Sequence, residues 1–174
     1  PFFEGFGRFP KPFVAFFYAA YWKIHRRCGR MFLYVRRGGT LTNRLQGFLS
    51  AMEARGVSAA LIHRPENMRY LTGFTGEGCL FVSPETQAIL TDFRYVEQLS
   101  RQAPFVECVR TRMGKSVETL VGELAERSHC AALAVETDYL CYDDYAALQA
   151  ALGDIRLVPL AGLPESMRLC KDES

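Results

Sequence analysis

Between Thr40 and Leu160 the apolar positions switch repeatedly between a helical and an extended period. Leu45, Phe48, Leu49 and Met52 fall at i, i+3, i+4 and i+7 and so share one helix face. Thr42 is placed to cap the start of that helix and Gly56 to end it. Val57-Ser-Ala-Ala-Leu-Ile62 reads as a short buried strand, stopped by His63-Arg-Pro-Glu-Asn67, a turn rich in breakers. Gly78–Ser83 and Ala88–Thr91 predict two strands, and the intervening Pro84-Glu-Thr-Gln87 suits a hairpin. Tyr95–Gln102 reads as a helix that Pro104 stops, and Phe105–Val109 alternates as a half-buried strand. Ser116 can cap a helix whose Val117, Leu120, Val121 and Leu124 share a face. A buried strand at Ala131–Val135, a helix over Asp143–Leu152 and a last strand at Ile155–Leu160 complete the pattern.

Helices alternating with strands predict an α/β fold with three layers, α/β/α, and helices on both faces of one sheet. The hairpin makes that central sheet mixed rather than all parallel. No internal repeat interrupts the series.

Charge divides the chain where hydropathy does not. The whole carries a net charge of +2 over 174 residues, enough for one domain with a core. Residues 1–39, however, contain eight basic residues, one acid and 12 of the 22 aromatics. Their longest apolar run, residues 13–22, is ten residues long, against the roughly 20 that span a bilayer. Lys23-Ile-His-Arg-Arg27 follows where a leader-peptide cleavage site would need small residues. Attachment to a membrane surface or nucleic acid through this segment is the weaker reading. A start that is processed, truncated or wrongly assigned, with the true beginning near Met31, is preferred. Neither a transmembrane segment nor nucleic-acid binding is expected. Cysteines at 28, 79, 108, 130, 141 and 170 show no paired spacing, so a reducing, cytoplasmic location is expected. Cys79, Cys108 and Cys130 lie in or beside apolar runs, as buried small hydrophobes do.

Chemistry is hard to find. Gly73-Phe-Thr-Gly-Glu-Gly78 clusters glycines, but a strand follows them where a phosphate site needs a helix N-terminus. Tight turning or close backbone approach explains them better. His25, His63 and His129 are scattered and offer no metal-ligand spacing. Asp143-Asp144 suits a helix start, and Glu136 and Asp138 flanking a strand end can bind something, although solvated loop acids are the commoner case. No nucleophile elbow is present. No catalytic residue, metal ligand or cofactor site is therefore assigned to this chain. Two stretches stand out, Asn67-Met-Arg-Tyr-Leu-Thr-Gly-Phe-Thr-Gly76 and Leu90-Thr-Asp-Phe-Arg-Tyr95, each with Arg and aromatics at the end of a short element. Arg69 or Arg94 can be an internal ion-pair partner and Tyr70, Phe74 and Tyr95 core or rim aromatics, or these residues can meet a partner.

In these stretches the sequence resembles the N-terminal domain of the creatinase, prolidase and aminopeptidase P family. Arg44-Leu45, Glu53-Ala-Arg-Gly56, Pro65-Glu-Asn67, Arg69-Tyr-Leu-Thr-Gly-Phe74, Thr91-Asp92, Arg94-Tyr95 and Gln98 carry the likeness in order. Leu163–Glu173 resembles the helix that leads into the family's catalytic domain. The resemblance implies a ribonuclease H-like domain over residues 40–160, a linker start over 161–174 and an atypical segment over 1–39. It also implies a metal-dependent Xaa-Pro peptidase whose two divalent ions, often manganese, sit in a second domain beyond this chain. Proline-containing peptide substrate and homo-oligomerisation belong to that implied whole, and no peptidase activity is expected of this chain alone. Phe74, Arg94 and Tyr95 are expected to face a partner subunit or the active-site entrance. Glu77 and Phe93 depart from the family's Ser and Gly. A stand-alone protein-binding module derived from the family is the alternative.

Overall fold

The computed structural model describes residues 40–169, which lie in the second of two units into which the chain divides, Pro1–Gly38 and Gly39–Ser174. The expectations for residues 1–39, and for the linker beyond Leu169, lie outside the described residues. Helix α1 (Thr40–Ala54) leads to β1 (Ala59–Ile62), α2 (Pro65–Thr72), β2 (Cys79–Val82) and β3 (Gln87–Thr91). Then come α3 (Val96–Gln102), β4 (Glu107–Arg110), α4 (Val117–Arg127), β5 (Ala132–Val135), α5 (Tyr142–Leu152), β6 (Arg156–Pro159) and α6 (Leu163–Leu169).

The strands form one mixed sheet in the order β4-β3-β2-β1-β5-β6. Pairing is antiparallel only on the two sides of β2; β3–β4, β1–β5 and β5–β6 are parallel. Five strands therefore point the same way, and all five end at one edge of the sheet. Helices cover both faces, as three layers require. Leu45, Phe48 and Met52 of α1, Met68 and Leu71 of α2, Leu99 of α3 and Leu163 of α6 pack on one face, against Ala60, Ile62, Leu80 and Ile89. Leu120, Val121 and Leu124 of α4, with Leu148 and Leu152 of α5, pack on the other, against Leu61, Phe81, Leu90 and Leu133. Strands β1 and β2, buried on both faces, are the continuous apolar runs that such sandwiching demands.

Several expectations need correction. His63–Asn67 is no terminal turn, because Pro65 opens α2 at a position where its missing N–H costs nothing. Thr42 lies within the first turn of α1, which starts at Thr40. Ser116 does cap α4, its hydroxyl accepting from the Thr119 N–H at 3.2 Å. The fourth strand runs over Glu107–Arg110 at the sheet edge, so Cys108 is exposed while Cys79 and Cys130 are buried. Charged residues on both ends of that strand suit an unpaired edge. Among the described residues no helix is long and apolar enough to cross a membrane.

Candidate functional site

Two polar constellations form where strands end on the common edge. The first comes after β3. Asp92 accepts from the Arg94 backbone N–H at 2.8 Å through Oδ1, and from its guanidinium Nε at 2.9 Å through Oδ2. Arg94 Nη2 also reaches Glu77 Oε2 at 3.2 Å, so the acid that departs from the family pattern supplies a second partner. The Arg94 guanidinium stands 5.2 Å from the centre of the Tyr95 ring. Tyr95 in turn meets Phe74 edge to face, with ring centres 6.4 Å apart and planes at 88°. Hydrogen bonding and charge from Arg94 hold the Asp92 carboxyl below its ordinary range, opposed by slight desolvation. Desolvation first, and the Glu77 carboxylate second, raise the Tyr95 phenol.

The glycine cluster underneath explains this geometry. A Cβ on Gly76 would stand 2.4 Å from the Phe74 ring and 2.7 Å from that of Tyr95. A Cβ on Gly78, whose φ is +148°, would stand 2.2 Å from the Leu90 carbonyl oxygen. The Thr91 hydroxyl donates to the Glu77 carbonyl at 2.6 Å, and Gln98 and Gln102 of α3 hold Thr75. The loop is built for close approach to β3 and α3. All three sequence-named residues meet here, but not at the surface together. Arg94 is exposed and Tyr95 half-buried, whereas Phe74 is fully buried. Phe74 is a floor under Tyr95 and touches the outside only through it. Phe93, beside Arg94 in the turn, is 75% exposed.

The second constellation is not legible in the sequence. Glu136, whose sequence setting suggests a solvated acid, is 2% exposed and directly follows β5. Its Oε2 accepts from the backbone N–H groups of His63 at 2.6 Å and Arg64 at 2.8 Å, where β1 turns into α2. Its Oε1 accepts from the Asn67 side-chain amide at 2.6 Å, and Asn67 is fully buried. The same amide donates to Glu165 of α6, and the Asn67 carbonyl oxygen accepts from Arg168 Nη1 at 2.9 Å. Arg64 pairs with Asp138 at 2.6 Å and lies 3.4 Å from Glu165 through Nε. Burial raises the Glu136 carboxyl, the donors from Arg64, Asn67 and His63 pull it back, and Glu165 raises it again. Burial lowers the His63 imidazole, against the raising charges of Asp144 and Glu118, and its Nδ1 makes no hydrogen bond. Among the described residues, no group of three or more His, Cys, Asp or Glu side chains is placed to hold a metal ion. The two-ion site that the family resemblance implies does not fit these residues, and no catalytic step is derived through it.

A family profile, that of the creatinase/prolidase N-terminal domain, matches residues 44–170. The chain belongs to this family. Its creatinase-type domain is 35% identical over 117 residues to an uncharacterised peptidase, YqhT, of Bacillus subtilis, covering 67% of this chain and 33% of that protein. An Xaa-Pro dipeptidase from Bacillus anthracis shares the fold with a TM-score of 0.71 and 30% identity, over 77% of this chain and 37% of the other. The N-terminal domain of the cytoplasmic peptidase PepQ from Mycobacterium tuberculosis H37Rv gives 0.66 and 32%, over 72% of this chain and 98% of that domain. The chain thus spans about a third of the length of the full peptidases it matches. The creatinase-type domain explains the sheet, its two helical layers and the motif order read in the sequence.

Proposed function

We propose that this chain serves as the non-catalytic N-terminal domain of a metal-dependent, cytoplasmic Xaa-Pro peptidase and helps build its oligomer and active-site entrance. In this reading residues 40–160 form the domain, 161–174 begin the linker, and residues 1–39 are an atypical basic and aromatic segment not assigned to it. Hydrolysis of proline-containing peptides, and the two divalent ions, manganese among the candidates, belong to the next domain. Arg94 and Tyr95 face a neighbouring copy of the chain.

The Arg94–Tyr95 pair carries this reading. A cation and a ring are held in register by Asp92, Glu77 and Phe74, yet remain accessible at the sheet edge where five strands end. A preorganised cation stacked on an aromatic is the residue pair that tight interfaces favour, because little side-chain freedom is left to lose on binding. Sedimentation of the purified chain and of the Arg94→Ala/Tyr95→Ala variant tests it. The wild type self-associates and the variant sediments as a monomer with unchanged circular dichroism. Equal association in both would overturn the interface. The same wild-type preparation, given an Xaa-Pro dipeptide and manganese, turns over nothing above blank. Reading the gene beyond Ser174 bears on the wider proposal: a continuing frame supplying two Asp, one His and two Glu supports it, and a stop codon there favours a stand-alone binding module.

A further inference from the structure

Helix α6 is anchored to the domain at two places that differ in kind. At its start, Leu163 and Pro164 are buried, and Leu163 joins the core beside α1. Further along, Glu165 and Arg168 reach the two ends of the Asn67 side chain, Glu165 accepting a hydrogen bond from its amide and Arg168 donating one to its carbonyl. The Tyr70 hydroxyl adds a long bond to the Met167 carbonyl at 3.3 Å. An apolar anchor alone fixes a point and leaves the axis free, since dispersion contacts have no preferred direction. Hydrogen bonds are directional, and a second anchor about 7.5 Å along the axis, from five residues at 1.5 Å each, converts the point into a line.

Asn67 suits this task better than an ion pair would. Its amide has two protons, and both are used: one for Glu136 on the sheet and one for Glu165 on the helix. Its oxygen takes the cation of the same helix. One fully buried side chain thus reads an acid and a base on α6 simultaneously, and only one axial rotation of α6 satisfies both. Glu136 holds Asn67 in place, and is itself held by the two backbone N–H groups at the start of α2. A sliding or rotated α6 would leave buried polar groups without partners, which is the costly outcome.

We propose that Asn67 is a positioning residue for the chain beyond Leu169: the Glu136–Asn67–Glu165/Arg168 clasp fixes the direction in which the backbone leaves the domain. In the full protein it would set the angle of the next domain against the Arg94–Tyr95 edge, a consequence that rests on the function proposed above. The test uses the 174-residue chain and hydrogen exchange read by mass spectrometry. In the Glu165→Ala/Arg168→Ala variant, which changes only side chains at or near the surface, amides within 163–169 exchange at least about tenfold faster, while peptides from β1 and β2 exchange as in the wild type. Asn67→Ala gives the same local loss. Spin labels introduced by non-cysteine chemistry at Glu85 and Leu169 report a broadened distance distribution in both variants, and Arg168→Lys, which keeps a donor, restores part of the narrowness. Unchanged exchange in α6, or equal acceleration of α6 and the central strands, would overturn the proposal, the latter by showing a merely structural role. Neither measurement depends on a catalytic domain. A positive result with no such domain downstream leaves the clasp intact and removes the proposed function.

Discussion

Two arginine–carboxylate constellations lie on the same edge of one sheet, and burial makes them opposites. The ends of β3 and β1 are separated only by β2, two strand spacings or about 10 Å. Around Arg94 the partners lie 2 and 17 positions away and meet water, so its ion pairs with Asp92 and Glu77 orient side chains without contributing much stability. Around Asn67 the partners come from distant parts of the chain, and Asn67 and Glu136 at the centre are shut away, so those two depend on the groups that bond them. The exposed set is free to meet something outside the domain. The buried set is already committed to holding the domain's own exit helix. Strand ends that look alike in composition therefore serve recognition in one place and alignment in the other.

The sharpest way to break the comparison is to remove the one piece of core under the exposed set. Phe74→Ala deletes a fully buried ring that also braces Tyr95. Urea denaturation should show a loss of about 3–5 kcal/mol, as large-to-small changes at buried aromatics do. It should also weaken self-association, because Tyr95 loses its floor. A loss below about 1 kcal/mol would mean that the ring is not packed as described, and that the exposed turn has no foundation in the core.

The difference between the regions also decides what the sequence can reveal. Every strand and helices α1, α3, α4 and α5 are legible, because an apolar period is a local signal. The turn is legible too, since Asp92, Arg94 and Tyr95 are neighbours and the glycines that let the loop close over Phe74 sit together at 73, 76 and 78. Helix α2 escapes such reading because Pro65 looks like a stop, when its place in the first turn makes it a start. Glu136 looks solvated because nothing nearby in the sequence satisfies it. Asn67 lies 69 positions before it, and Asn67 is 98 positions from Glu165 and 101 from Arg168. Such a cluster exists only once the sheet has brought the ends of β1 and β5 side by side. Phe74 falls between the cases: its neighbours are evident from the motif, but its depth is set by the fold.

A smaller effect separates the regions by pH. Glu136 binds its proton more tightly folded than unfolded, because burial outweighs the donors around it. Its contribution to stability is therefore complete below its unfolded value of about 4.5 and is lost as pH rises through the higher folded value. Glu136→Gln cannot titrate, so the wild type's stability relative to the variant should decline from about pH 4 toward neutrality. A difference that stays flat or grows with pH, in denaturation series run in parallel, would show that hydrogen bonding rather than burial governs this carboxyl.

Asp92 should give the smallest effect and the opposite sign. Arg94 holds its carboxyl below the ordinary range in the folded chain, so its contribution is present above the unfolded value of about 3.8 and fades as pH falls through the lowered folded value. Asp92→Asn should flatten that acid limb and slightly lower the unfolding midpoint at neutral pH, variant and wild type converging as pH falls. Because the group is open to solvent, the difference should vanish at about 1 M salt, where the screening length is about 3 Å. The Glu136 effect, sheltered from ions, should persist under the same conditions. If the Asp92 effect survived high salt as fully as that of Glu136, both carboxyls would be titrating in a sheltered setting. The turn after β3 would then be a second internal clasp, and Arg94 would be unavailable to a partner.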